Sequence, residues 1–324
     1  MRERLTTIKD RLAVTPERYA LIARVALVMV TVIVLTGAAV RVTGSGLGCP
    51  TWPKCTDTSL YTKLTTHGVI EFGNRLLTFV VSAAVIAAFF GARLRTPVRR
   101  DLKRLSWLLP LGVVAQAVLG GFTVRYKLAP GLVMSHYLLS MLLVAAAVAL
   151  DRRAHHEPAE RATGAGDPLI RRAVWGLVAL GGVTIFAGTA ATAAGPHAGG
   201  AGTGDVIKRL DFKGAETLRF VVEQHARLAT LLGVAAVGLW LLARRRGAPA
   251  EQRRALTVLC VLLAAQGVVG GVQYALELPA EIVWVHVGLA ATTWLSILWV
   301  FATTGRAQPQ PAEAVPRASE PAAV

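Results

Sequence analysis

The run Leu21-Ile22-Ala23-Arg24-Val25-Ala26-Leu27-Val28-Met29-Val30-Thr31-Val32-Ile33-Val34-Leu35-Thr36-Gly37-Ala38-Ala39-Val40-Arg41-Val42 decides the fold class. Crossing the hydrocarbon layer takes about 20 apolar residues in a helix, and this run has that length. Its apolar residues do not alternate, and backbone polar groups in lipid must be satisfied within the segment, so it reads as a helix and not as a barrel strand. Seven more stretches meet the same criterion: 69–94, 105–124, 132–150, 173–194, 217–243, 255–275 and 282–303. The 324-residue chain is 54% hydrophobic, above the roughly 45–50% of soluble domains. Its mean hydropathy is +0.52. The expectation is an all-α membrane protein of eight transmembrane helices. A secretory signal would have a shorter apolar core followed by small residues at a cleavage site. The first run instead leads into Arg41 and a Gly-rich loop, and reads as a retained helix.

The net charge is +16, and its distribution argues against nucleic acid. Basic residues gather before helix 1 (Arg2, Arg4, Lys9, Arg11, Arg18, Arg24) and in the loops after helices 2, 4 and 6. Those loops carry Arg93 to Arg104, Arg152 to Arg172, and Arg244 to Arg254. They alternate along the chain, so all share one side, which the positive-inside rule makes cytoplasmic. Both termini are then expected inside a plasma membrane. No stacking platform or groove-reading motif accompanies the charge. The Pro-, Ala- and Glu-containing tail 306–324 cannot bury a core and is expected to be a disordered cytoplasmic segment.

A duplication organises the chain. Ala115-Gln116-Ala117-Val118-Leu119-Gly120-Gly121 recurs as Ala265-Gln266-Gly267-Val268-Val269-Gly270-Gly271, and each Gln is followed twenty residues later by a His, His136 or His286. Ile70-Glu71-Phe72-Gly73-Asn74-Arg75-Leu76 also resembles Val222-Glu223-Gln224-His225-Ala226-Arg227-Leu228, with an alignment uncertain by one residue. Two tandem four-helix bundles are expected, 1–155 and 156–305. Each has an even number of helices, which implies a pseudo-twofold axis along the membrane normal, unlike inverted-repeat transporters.

Ionisable groups inside a membrane are costly and point to function. His67, His136, His225 and His286 lie near the outer starts of helices 2, 4, 6 and 8. The last three fall roughly 8–14 Å below the outer helix ends at 1.5 Å per residue. Shared depth on facing helices suits a flat macrocycle with axial His ligands. His225 and His286 form a natural bis-His pair. His136 has Asn74 at the matching place on helix 2, with Glu71 and His67 on the same face at helical spacing. That half has one clear ligand, a carboxylate and an unsettled second ligand, which suits an exchangeable substrate. Glu71 is alternatively a structural ion-pair partner of Arg75 at i+4. His155 and His156 read as solvated loop residues, and the role of His197 is open. Cys49 and Cys55 lie in the first outer loop, where two Cys in an oxidising setting suggest a disulfide, structural or redox-active. Zinc would want further ligands. Cys260 reads as a packing residue.

The stretch Arg41-Val42-Thr43-Gly44-Ser45-Gly46-Leu47-Gly48-Cys49-Pro50-Thr51-Trp52-Pro53-Lys54-Cys55, with Ile70-Glu71-Phe72 and Arg75, resembles the heme A synthase family in an actinobacterial-like variant. The resemblance implies an oxidoreductase that converts the ring D methyl of heme O to a formyl group by successive hydroxylations, for cytochrome oxidase. It implies heme b as cofactor on His225 and His286, and substrate iron on His136 with His67 or Asn74 as the second-ligand candidates. Glu71 would be the catalytic carboxylate and Cys49–Cys55 the outer-loop pair, with both heme sites toward the outer face. Arg41, Arg75 and Arg125 are candidates for heme propionates, although arginines at helix ends also snorkel. A farnesyltransferase supplying heme O and a second copy of the chain are the partners it admits; the electron acceptor is open. The chain departs from the pattern at Asn74, where many members have His, and it lacks the second-half cysteine pair of some members. Two other readings compete: a diheme cytochrome b that only carries electrons, and a tandem-repeat transporter using His and Glu as proton relays.

Overall fold

The structure is a computed structural model, and it describes residues 13–62, 64–156, 167–204 and 206–304. The tail 306–324, expected to be disordered, lies outside the described residues. Among the described residues, eight helices are long and apolar enough to cross a membrane: α1 (Pro16–Val42), α2 (Thr66–Leu94), α3 (Leu108–Arg125), α4 (Pro130–Ala154), α5 (Pro168–Ala194), α6 (Thr217–Arg245), α7 (Ala250–Ala275) and α8 (Ala280–Thr303). The chain is a multi-pass membrane protein.

Starts and stops follow local chemistry. Thr15 caps α1 by accepting from the Arg18 N–H, with Pro16 in the first turn. Thr65 caps α2 through the Gly68 N–H, and Asp167 caps α5 through the N–H groups of Leu169 and Ile170. These polar caps satisfy otherwise orphaned donors. They also carry α1 and α5 several residues beyond the apolar runs that identify them. The third expected helix is interrupted: a short helix Arg100–Leu105 precedes α3, with the break at Ser106 and Trp107. Pro110 explains it, because its ring has no N–H for the Ser106 carbonyl four residues back and clashes with it.

The turns after α3 and α7 are built alike. Lys127 and Leu128 have φ of 46° and 58°; Glu277 and Leu278 have 61° and 64°. In each, the second residue donates its N–H five residues back, Leu128 to Thr123 and Leu278 to Gln273. This left-handed ending caps the last carbonyls of the helix, and a proline follows at Pro130 or Pro279.

Helix α1 packs on α2 and α4, and α3 packs on α2 and α4. Likewise α5 packs on α6 and α8, and α7 packs on α6 and α8. Between these two groups of four, α8 touches α1 and α4, and α4 touches α5. Small residues suit close approaches, and Ala23 and Ala26 of α1 and Ala88 and Ala92 of α2 are buried. That is the usual solution where lipid removes the hydrophobic drive for association. Val80, Ile86, Val118, Val234, Val261 and Val268 face outward and exposed, as a lipid-facing surface requires. Two indoles tie α8 to the first group: the buried Trp294 donates to the Met141 carbonyl of α4, and the exposed Trp284 donates to the Leu35 carbonyl of α1.

Candidate functional site

His225 on α6 and His286 on α8 face each other with ring centroids 6.2 Å apart and planes at 81°. Imidazole nitrogen binds a first-row metal at about 2.0–2.1 Å, so two rings flanking one ion have centroids about 6 Å apart. The His225 Nδ1 lies 3.0 Å from the Thr184 carbonyl of α5. A carbonyl only accepts, so Nδ1 carries the hydrogen and the neutral ring presents its Nε2 lone pair. Among the described residues no group of three or more His, Cys, Asp or Glu could hold a metal ion. A bare ion on this pair would lack ligands, whereas a metal already held in a planar ring needs only the two axial ones. Glycine makes room for both rings. A Cβ at Gly188 of α5 would lie 2.9 Å from His225 Cε1, and one at Gly270 of α7 would lie 3.1 Å from His286 Cε1.

His136 on α4 repeats part of this arrangement. A Cβ at Gly120 of α3 would lie 3.4 Å from its Cε1. The Gln116 side chain of α3 donates to the His136 carbonyl at 3.2 Å, as Gln266 of α7 donates to the His286 carbonyl at 3.1 Å. The place on α2 expected to match His225 holds Asn74. Asn74 accepts a hydrogen bond from Thr36 of α1 at 2.7 Å.

A disulfide-closed loop lies beside this half. Cys49 and Cys55 are bonded, with Cα atoms 4.3 Å apart. Glu71 and Arg75, one turn apart on α2, hold the loop. Glu71 Oε2 accepts from the Cys49 N–H at 2.6 Å, and its Oε1 accepts from Arg75 Nη2 at 2.6 Å and Nε at 3.1 Å. Arg75 Nη1 donates to the Thr51 and Lys54 carbonyls, and Nη2 to that of Cys49. These bonds engage all five guanidinium N–H groups, leaving none over for a propionate. The pair is largely buried, with side chains 7% and 20% exposed. The similar-looking Glu223 and Arg227 on α6 are 44% and 70% exposed and 3.7 Å apart. The loop reaches over α3: a Cβ at Gly121 would come 3.0 Å from the Trp52 ring, beside Gly120 under His136.

A family model described as cytochrome oxidase assembly protein matches residues 20–67 and 59–298, most of the chain and all of the site just described. The chain belongs to the cytochrome oxidase assembly protein family. Among curated relatives, a heme A synthase of Lysinibacillus sphaericus is 32% identical over 120 residues, covering 37% of this chain and 39% of that protein. A heme A synthase of Alkalihalophilus pseudofirmus is 30% identical over 122 residues, covering 37% and 41%. One of Listeria monocytogenes is 32% identical over 126 residues, covering 38% and 41%. The chain thus spans about two-fifths of the length of the curated relatives it matches.

In this member of the cytochrome oxidase assembly protein family the other candidates lie as follows. The His67 Nδ1 pairs with the Ser45 hydroxyl at 2.9 Å, and its ring lies against Gly202 so closely that a Cβ there would overlap it. Arg41 donates through Nε to the His197 carbonyl at 3.2 Å. His197 Nε2 donates to the Leu278 carbonyl at 2.7 Å, and the Gly46 N–H donates to the Gly199 carbonyl at 2.8 Å. The His197 ring thus ties the loop after α5 to the turn after α7, its carbonyl accepts from Arg41 of α1, and the Gly46–Gly199 bond joins loops of the two helix groups. Arg125 is exposed at the end of α3. His155 pairs with Asp151, and Cys260 is a half-buried free thiol on α7. Sequence reasoning missed Gly188, Thr184, Thr36 and Ser45. The paired glycines of the repeated motif signal Gly120 and Gly270; Gly188, one glycine in an apolar helix, carries no signal.

Proposed function

We propose that this chain acts as a heme A synthase of the plasma membrane, oxidising the ring D methyl of heme O to a formyl group by successive hydroxylations. The observation that carries the reading is the His225–His286 pair, 6.2 Å between centroids, in a chain of this family. In this reading the pair holds heme b, which when bound supplies one-electron redox chemistry. The Thr184 carbonyl fixes the His225 tautomer and ring direction, as outer partners of ligating histidines do. His136 takes the iron of heme O, and the asymmetry at Asn74 leaves that site exchangeable, with His67 the other second-ligand candidate. Glu71 is the catalytic carboxylate, immobilised by three N–H donors beside the Cys49–Cys55 loop that lies over Gly121. Of the three arginine candidates for a propionate, Arg41 and Arg125 keep donors in hand. The two groups of four helices are tandem copies. The matching turns at Leu128 and Leu278 and the matching Gln–His contacts support that, as does the Asn74–Thr36 contact standing where His225 meets α5. The arginine-rich loops and both termini face the cytoplasm, and both sites lie toward the outer side. Heme O reaches the first site from the farnesyltransferase that makes it.

Purification from cells supplying heme O, followed by extraction and mass identification of the hemes, tests the proposal. Heme b together with heme A or a hydroxylated heme O, with conversion lost in Glu71→Ala, is expected. Heme b alone at two per chain, unchanged by the mutation, would point to an electron carrier. Protein without heme would leave the transporter.

A further inference from the structure

Two side-chain atoms are stranded at each Gln–His contact, and they are the same two in both halves. Gln116 Oε1 and His136 Nδ1 are buried without a hydrogen-bond partner among the described residues, and so are Gln266 Oε1 and His286 Nδ1. The amide orientation is set, because Nε2 faces a histidine carbonyl that can only accept. The stranded Gln atom is therefore an acceptor. In each half the Nδ1–Cε1 edge of the ring faces the helix that carries the Gln. A Cβ at Gly270, one turn beyond Gln266, would lie 3.1 Å from Cε1 and 3.6 Å from Nδ1 of His286. At Gly120 the corresponding distances to His136 are 3.4 and 4.0 Å.

Buried polar groups are nearly always paired, so two complementary orphans on one face call for each other or for a water between them. Resting on the reading of His286 and His136 as iron ligands, we infer that Gln266 and Gln116 are positioning residues. Each anchors the turn of its histidine through Nε2. Each also accepts the Nδ1–H through Oε1, directly or by one buried water. A ring that binds metal through Nε2 carries its hydrogen on Nδ1, and such rings almost always donate it to an oxygen. His225 does so to the Thr184 carbonyl; for His286 the stranded acceptor is Gln266. The halves differ in one respect: Gln116 also donates to Ser140 at 2.7 Å, where the second half has Ala290. Gln116 is thus pinned at both amide hydrogens, and Gln266 is held by one.

The test uses the full chain, purified in detergent with its heme, and compares wild type with Gln266→Leu and Gln266→Glu by heme retention and potentiometric titration. Leucine removes the acceptor, and outer-partner losses of this kind cost roughly 10–100-fold in affinity. Less electron donation from His286 weakens the ferric form more than the ferrous, so the potential rises; a tenfold difference is about 59 mV for one electron. Glutamate keeps an oxygen acceptor and leaves the potential unchanged or lower. Gln266→Asn, which withdraws the carbonyl, shifts it as leucine does and serves if leucine blocks folding. Shifts of the same sign in the leucine and glutamate variants, or in neither, would overturn the role of Gln266. A wild-type protein that takes up no heme would overturn the ligand reading and this inference with it.

Discussion

An imidazole can lie flat against a neighbouring helix only where the facing residue has no Cβ. Gly188 meets that condition for His225. Gly37, on α1, has nothing within 4 Å of its would-be Cβ, and its half of the chain carries Asn74 in place of the histidine. The contrast gives a paired prediction. Gly188→Ala pushes the His225 ring off its line with His286 and lowers heme retention about tenfold or more, the scale of disturbed ligand orientation. Gly37→Ala leaves retention unchanged. Heme-to-protein ratios after purification check both. Sequence alone reached the four histidines because ionisable groups in apolar helices stand out. It could not reach Gly188, Thr184 or Thr36, because their importance lies in contacts between helices that carry no pattern of their own.

At the scale of elements, the helices were legible because their apolar runs and caps are local properties of the chain. The interruption before α3 follows from Pro110, also local, yet the unbroken hydropathy of the run conceals it. The disulfide loop is different. Glu71 and Arg75 stand at i and i+4, so their ion pair was readable, but the clamp on Cys49, Thr51 and Lys54 depends on how the loop folds back. Arg75→Ala removes that clamp and leaves Glu71 buried with one partner fewer. With the guanidinium one-fifth exposed, the expected loss is about 2 kcal/mol, below the roughly 3–5 kcal/mol of fully buried pairs. The loop also opens more often, so the Cys49–Cys55 bond is reduced faster by added dithiol. Arg227→Ala, at the exposed counterpart, changes stability by less than about 0.5 kcal/mol. Thermal unfolding in detergent and the rate of thiol release distinguish these outcomes. Equal effects of the two substitutions would contradict the clamp.

For the whole molecule, α8 is the joint. It touches α1 and α4 of the first group, and the Trp284 and Trp294 hydrogen bonds cross the same seam. At one end His197, Arg41 and Gly46 tie the loops together. At the other, Arg152 of α4 pairs with Glu251 of α7 at 2.7 Å. The positive-inside rule assigns the arginine-rich end to the cytoplasm. A phosphatase reporter that works only outside should then be active when fused after Leu60 and silent when fused after Arg99. The reverse pattern would invert the orientation. The Gln-to-His spacing points to a duplication, and the proposed unequal use of its halves rests on one side chain, Asn74 at the place expected to match His225. The proposed function needs two unlike sites, a fixed one on His225 and His286 and an exchangeable one on His136. Low-temperature electron paramagnetic resonance of the purified protein, with heme quantified per chain, tests it most directly. A low-spin bis-His signal that vanishes in His286→Ala and in His225→Ala yet survives in His136→Ala is the predicted result. A signal that persists without His286, or that disappears with His136, would contradict it.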